Sequence, residues 1–107
     1  MNVNYMPPWT PVGQFSQNLV NELRRELTPG HPLFGLDAYP IAQRTDADDV
    51  LFQFGINQPI FAVVHLTWSG EPEPDNSWPT FESYTSMEDW VENRMSVDHR
   101  EYAAGSQ

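Results

Sequence analysis

The stretch that decides the fold is Ile60-Phe61-Ala62-Val63-Val64-His65-Leu66-Thr67-Trp68, the most β-prone run in the sequence. Both faces of this run are largely apolar up to Val64, which is typical of a strand covered on both sides or placed in the middle of a sheet backed by helices. Pro59 opens the run, and Gly55-Ile56-Asn57-Gln58 before it has the composition of a turn. The other elements are predicted outward from this central strand.

Three further strands are indicated around it. Residues 50–54 alternate apolar side chains at a period of two and predict one strand. Residues 36–45 alternate more weakly and contain Pro40, which predicts an edge strand. Residues 80–84 predict a fourth strand. The connections between these strands are short and none contains the helix that a parallel crossover needs, so the sheet is expected to be antiparallel.

Two amphipathic helices flank the strands. The first carries an apolar residue at every fourth position and ends at Thr28-Pro29-Gly30, because proline cannot continue a helix. Its apolar positions are Phe15, Leu19, Leu23 and Leu27. Thr85 or Ser86 caps the second helix. The stripe of that helix consists of Met87, Trp90, Val91, Arg94 and Met95. This order of elements predicts an α+β fold in which an antiparallel sheet of three to four strands carries the N-terminal and the C-terminal helix on one face.

The length of 107 residues predicts a single domain. Residues 1–12 contain three prolines, which favour extended chain over helix or ladder and predict an N-terminal arm. Tyr5 and Trp9 make this arm too apolar for a solvated tail, so we expect it to pack on the body of the protein. Residues 13–102 are predicted to form the α+β domain, and residues 103–107 a flexible tail.

The charge balance narrows the classes of partner. Fifteen acidic and five basic residues give a net charge of −10, and none of the basic residues is a lysine. Such a surface repels nucleic acid and anionic lipid, so we expect neither, and a protein partner with a basic or apolar surface remains. No run approaches the roughly 18 apolar residues of a membrane span, and the first residues lack a secretory signal, which predicts a cytoplasmic protein.

Catalytic signatures are sparse, so the sequence leans away from an enzyme without deciding the question. Residue pairs such as His-Glu-x-x-His are absent, as are cysteines, phosphate-binding glycine loops and the complete calcium-loop pattern, and we expect no metal or cofactor. His65 at the end of a strand, with His99 and Asp98 near the C-terminus, leaves a small hydrolase or metal-dependent enzyme as the alternative function. His31 precedes Pro32 in a turn and is expected on the surface.

With these catalytic and metal-binding motifs excluded, the aromatic residues are the remaining functional signal in the sequence. Trp68 and Trp78 bracket a loop that contains Glu71, Glu73 and Asp75, and two aromatic side chains flanking carboxylates form a patch suited to a basic or apolar partner. The leading hypothesis is therefore a small, acidic, non-enzymatic protein-interaction domain of adaptor, antitoxin or immunity type. The edge strand and the arm leave a homodimer open.

A third hypothesis is a binder of a small ligand, with an aromatic-lined pocket between the sheet and the helices. The side chains that would line this pocket are Phe52, Phe54, Phe61 and Trp90. The same residues would also serve an ordinary hydrophobic core, so this hypothesis ranks below the other two.

Short motifs in the second half of the chain also carry a resemblance. They are Ala62-Val63-Val64-His65-Leu66-Thr67-Trp68, Trp90, Arg94-Met95, Asp98-His99 and Tyr102. In these motifs, over residues 31–102, the sequence resembles a family of small, uncharacterised bacterial proteins. The resemblance implies a bacterial origin, and it implies no activity and no functional residues.

Overall fold

The computed structural model describes residues 3–13, 16–68 and 78–105. Five strands and a set of helical segments follow one another along these residues. The strands are β1 (Trp9–Pro11), β2 (Ala38–Arg44), β3 (Asp49–Phe54), β4 (Ile60–His65) and β5 (Phe81–Tyr84). Helix α1 (Ser16–Glu26) lies between β1 and β2, and α2 (Met87–Trp90), a π-helical turn (Val91–Met95) and α3 (Ser96–Gly105) follow β5.

The five strands form one sheet in the order β1-β2-β3-β4-β5, and every neighbouring pair is antiparallel. The predicted antiparallel α+β class is therefore confirmed, with one strand more than the sequence indicated. The extra strand is β1, a three-residue segment of the N-terminal arm that pairs Trp9 with Arg44 of β2. Pro11 is compatible with β1 because this strand lies at the edge of the sheet, where a missing N–H costs little.

Strand β2 is an edge over only part of its length. The pairing with β1 covers Ala42 to Arg44, while Pro40 lies beyond the reach of β1, beside a register shift between Pro40 and Ala42. The proline therefore occupies the half of β2 that is an edge, and the other half is an inner strand. Because of this division, the prediction of an edge strand for residues 36–45 holds for the first half of β2 only.

The helices lie on opposite faces of the sheet, so the prediction that both pack on one face is wrong. Side chains of β3 alternate between two separate cores, with Val50, Phe52 and Phe54 in the first and Leu51 in the second. The first core is completed by α1, and its helical members are Leu19, Val20 and Leu23. The second core is completed by the arm and the C-terminal helical segments, through Trp9, Trp90 and Met95. A central sheet buried on both faces explains why residues 60–64 are apolar on both sides.

The C-terminal helical segments run without a break from Met87 to Gly105 and so extend past the point where a flexible tail was predicted. Ser86 caps the start by accepting a hydrogen bond from the backbone N–H of Asp89, as the capping pattern predicted. The π-helical turn returns to the same face after five residues, so Trp90 and Met95 both reach the second core. No helix in the described parts of the chain is long and apolar enough to cross a membrane.

Candidate functional site

Three chain segments meet at one end of the sheet. The backbone N–H of Leu66 donates to the carbonyl oxygen of Asp48 at 3.0 Å, and the N–H of His65 donates to the carbonyl of Thr80 at 2.9 Å. These bonds place the β2–β3 turn, the end of β4 and the start of β5 side by side. We call this region the acidic end, and it consists of residues 45–49, 65–68 and 78–82.

The two tryptophans predicted as binding residues are both exposed at the acidic end. Trp68 is 45% exposed and Trp78 is 44% exposed. Each lies within three residues of the hydrogen-bonded pair His65 and Thr80, so the fold holds both near one edge. Aromatic side chains are enriched at the contact surfaces of proteins, and two half-exposed indole rings at one edge fit such a surface. The other predicted binding residues, Glu71, Glu73 and Asp75, lie outside the described residues.

Acidic side chains of the β2–β3 turn adjoin Trp68. A cavity of about 400 Å³ lies between this turn and the Trp68 side chain, and Leu19 of α1 forms part of its wall. Asp48 in the turn is exposed, and Asp46 is paired with Arg44 at 2.8 Å, which lowers the pKa of the Asp46 carboxyl. A cationic or aromatic group entering this cavity would meet both carboxylates and an indole ring.

The backbone at Trp68 is in the left-handed region, with φ at 57°. This conformation is costly for a residue with a side chain, and it persists only where neighbouring groups hold it. Here the holding group is Glu26 of α1, which is fully buried. Its two carboxyl oxygens accept the backbone N–H groups of Thr67 and Trp68, each at 2.8 Å.

A second buried acid lies one helical turn before Glu26. Glu22 is 1% exposed and accepts two hydrogen bonds from Arg25, at 2.9 and 3.2 Å. Burial, together with a hydrogen bond to Glu22, raises the pKa of Glu26 to about 7, against the lowering effect of the N–H groups of Thr67 and Trp68. The Glu26 carboxyl therefore changes charge near neutral pH.

His31 is buried rather than on the surface, which corrects the sequence prediction. Its ring Nε2–H donates to the carbonyl of Pro79 at 2.9 Å, and its Nδ1 accepts the backbone N–H of Leu33 at 3.0 Å. One ring nitrogen therefore donates a hydrogen bond and the other accepts one, so both have a partner, as buried polar groups usually do. The bond to Pro79 holds the segment that carries Trp78 against the loop that follows α1.

His65 lines a separate cavity of about 240 Å³ at the same end of the sheet. Its Nδ1 lies 2.7 Å from Oδ1 of Asp49, and the other oxygen of Asp49 accepts from Nη2 of Arg94, also at 2.7 Å. Glu82, a further lining residue, lies 3.6 Å from Nη1 of Arg94. The cavity thus combines an exposed histidine with two carboxylates and one guanidinium group.

Arg94 ties the acidic end to the arm through Asp98. Asp98 accepts from Nε of Arg94 and from the indole N–H of Trp9, both at 2.8 Å, and lies 3.4 Å from Arg44. Burial would lower the pKa of Arg94, but hydrogen bonds to Asp98 and Tyr84 raise it overall, so this side chain stays charged. This network of ion pairs links the sheet, the C-terminal helical segments and the arm. Its role is therefore structural.

His65 and His99, paired in the hydrolase hypothesis, have different hydrogen-bond partners. His99 lies on α3, where its Nδ1 is 2.6 Å from the carbonyl oxygen of Pro7, and it does not line the cavity that His65 lines. Within the described residues, no group of three or more His, Cys, Asp or Glu side chains is arranged to hold a metal ion. Asp98, the third member of the hydrolase hypothesis, is instead bonded to Arg94 and Trp9.

The aromatic pocket of the third hypothesis is also not formed. Phe52 and Phe54 belong to the core on the α1 side, whereas Phe61 and Trp90 lie on the other side of the sheet. Trp90 is fully buried and packs against Trp9, with ring centroids 5.1 Å apart. The four side chains serve two cores that the sheet separates.

Glu22 and Glu26 were not among the residues predicted from the sequence, although the helix pattern contains a signal for them. Residues 19, 22, 23, 26 and 27 follow the i, i+3, i+4, i+7 spacing of a buried face, so the two acids occupy positions where leucine is expected. A buried carboxyl needs hydrogen-bond or ion-pair partners. Its presence in such a stripe therefore indicates a specific polar contact inside the protein.

Comparison of the chain with protein-family models, with curated proteins and with solved structures finds no match.

Proposed function

We propose that this protein is a small, non-enzymatic protein-binding domain whose acidic end takes a basic, partly apolar segment of another protein. The observation that carries the proposal is the pair of half-exposed tryptophans, Trp68 and Trp78, at the same end of the sheet as the acidic turn. Exposed indole rings supply contact area and attract cations, and the neighbouring carboxylates select a positively charged partner.

The local charge supports a basic partner. Among the described residues of the acidic end and the ion pairs attached to it, five carboxylates accompany Arg44 and Arg94, and each of these two arginines is already bonded to carboxylates. The carboxylates are those of Asp46, Asp48, Asp49, Glu82 and Asp98. The sequence adds three more acids between the two tryptophans. A field of this sign speeds the encounter with a cationic surface and disfavours anionic competitors.

The proposal includes the broader expectations from the sequence. Adaptor, antitoxin and immunity proteins all act by binding another protein, and the acidic end suits each of these roles. We also propose a cytoplasmic bacterial protein, and a homodimer stays within the proposal because the outer edge of β5 pairs with no described strand. Sedimentation of the purified protein measures the oligomeric state.

The test begins with capture of partners from a bacterial lysate at low and at moderate salt, followed by a measured Kd for the purified partner. We expect a stoichiometric partner whose capture weakens as salt rises, because exposed charges are screened. Trp68→Ala is expected to weaken binding about tenfold or more, as truncation of a central aromatic contact does.

A pair of charge reversals provides the matched control. Asp48→Arg changes an exposed acid at the acidic end, and Asp37→Arg makes the same change beside Gly55, at the opposite end of the sheet. We expect the first to weaken binding at least about fivefold and the second to leave it within about twofold. Equal effects of the two variants, or a partner whose Kd does not depend on salt, would contradict the proposal.

A further inference from the structure

The Glu22 and Glu26 pair differs from the other acidic groups of the protein because it is buried. The two side chains are 1% and 0% exposed, one helical turn apart on α1. Two adjacent carboxylates in a low-dielectric environment repel each other, and a shared proton removes that repulsion. Hydrogen bonding between the two side chains is consistent with this shared proton.

Glu26 also bonds to the chain segment that presents Trp68. The backbone N–H groups of Thr67 and Trp68 both donate to Glu26, and Trp68 has a left-handed backbone at this point. Two successive N–H groups turned toward one acceptor are a typical anion cradle, and in this protein the cradle is filled by the protein's own carboxyl group.

We propose that Glu26 is the positioning residue for Trp68, and that the proton it shares with Glu22 determines whether the corner at Thr67 and Trp68 is held on α1 or released. The inference rests on the proposed function only in its consequence, namely that release of the corner changes how Trp68 meets a partner.

The groups around Glu26 set the direction of the effect. On α1 they are Glu22 and, through Glu22, Arg25, which is half-exposed and bonded to the Glu22 carboxyl. The segment after β4 contributes the backbone N–H groups of Thr67 and Trp68. From the β2–β3 turn, Asp46 and Asp48 line the cavity beside Trp68. His31, after α1, uses both ring nitrogens on Pro79 and Leu33.

Raising the pH is therefore expected to release the corner. In the held state the pKa of Glu26 is about 7, whereas a Glu26 side chain released into water returns toward its ordinary value of 4.5. Between these values the held state binds more protons than the released state, so a rise in pH through neutrality shifts the population toward release.

The test is an NMR titration of the isolated protein from about pH 4 to about pH 9, which follows the Glu26 carboxyl carbon and the backbone amides of Thr67 and Trp68. We expect the carboxyl midpoint near 7 and the same midpoint for both amides. In Glu26→Gln the two amides are expected to lose this transition, because the side chain no longer ionises. In Glu22→Gln the Glu26 midpoint is expected to move toward acid pH, because the repelling partner is neutral.

A Glu26 midpoint below about 5.5, close to that of a free carboxyl, would overturn the proposal. Amides that do not follow the carboxyl would overturn it as well. If Glu26→Gln does not fold, the titrations of the unaltered protein and of Glu22→Gln still decide the question. The titration needs no partner, so the proton-linked corner and the binding function succeed or fail independently.

Discussion

At the scale of single residues, Trp68 is exceptional because an exposed aromatic side chain is combined with a left-handed backbone. A residue with a Cβ atom adopts φ near 57° at a cost of about 1 kcal/mol that glycine does not have. We therefore expect Trp68→Gly to be more stable than Trp68→Ala by about 1 kcal/mol, measured by urea unfolding, although glycine is usually the less stable of the two. The reverse order would indicate that the corner is not held in this conformation.

Residue-level predictions from the sequence succeeded where the environment is local and failed where it depends on distant partners. Ser86 was one of two caps, with Thr85, predicted from the neighbouring residues, and it is the cap that the structure shows. The burial of His31 depends on Pro79, which is 48 positions away, and that of Glu26 on Thr67 and Trp68, which are 41 and 42 positions away. Periodicity carries no information about such contacts, so a charged residue in an apolar stripe was the only available signal.

At the scale of elements, the N-terminal arm is a structural part of the sheet and of the second core. Trp9 is 2% exposed, packs edge-on against Trp90, lies under Arg94 and donates to Asp98. Trp9→Ala is expected to lower the free energy of unfolding by about 3–5 kcal/mol, because it leaves a large cavity and a buried carboxylate without its donor.

Trp78→Ala is the matched control for this change, since it removes the same side chain from a half-exposed position. We expect it to cost about 1 kcal/mol or less in the same urea measurement. Similar losses for both variants would show that the arm contributes no more to stability than an exposed side chain does.

The element boundaries show what a one-dimensional pattern can and cannot predict. The first helix and strands β3 to β5 follow from the spacing of apolar residues, and their observed bounds lie within a few residues of those expected. Strand β1 has only three residues and one proline, too short for a period to be read. The placement of helices on opposite faces depends on which core each stripe joins, and two apolar stripes of similar strength are compatible with either face.

At the scale of the whole molecule, stability is expected to fall as the pH rises from about 5 to about 8. The pKa of Glu26 is about 7 in the folded chain and near 4.5 when unfolded, so the stabilising proton is fully present below the lower value and is lost as the pH passes through the higher one. Asp46 acts in the opposite direction, but its lowered pKa affects stability only in acid, below its ordinary value of 3.8.

The measurement is the urea midpoint at about pH 5.5 and at about pH 8. The unaltered protein is expected to have the lower midpoint at the higher pH, and Glu26→Gln is expected to remove most of the difference. A midpoint that rises with pH would mean that Glu26 is not the dominant titrating group in this range.

The residues on either side of 69–77 are hydrogen-bonded to the rest of the domain at three points. His65 bonds to Thr80, Glu26 accepts from Thr67 and Trp68, and His31 bonds to Pro79. Each of these bonds joins two residues outside that segment. Because closure entropy grows only with the logarithm of length, doubling an inserted segment costs about 0.6 kcal/mol. The domain is consequently suited to protein engineering as a display scaffold, in which a foreign recognition peptide replaces residues 69–77.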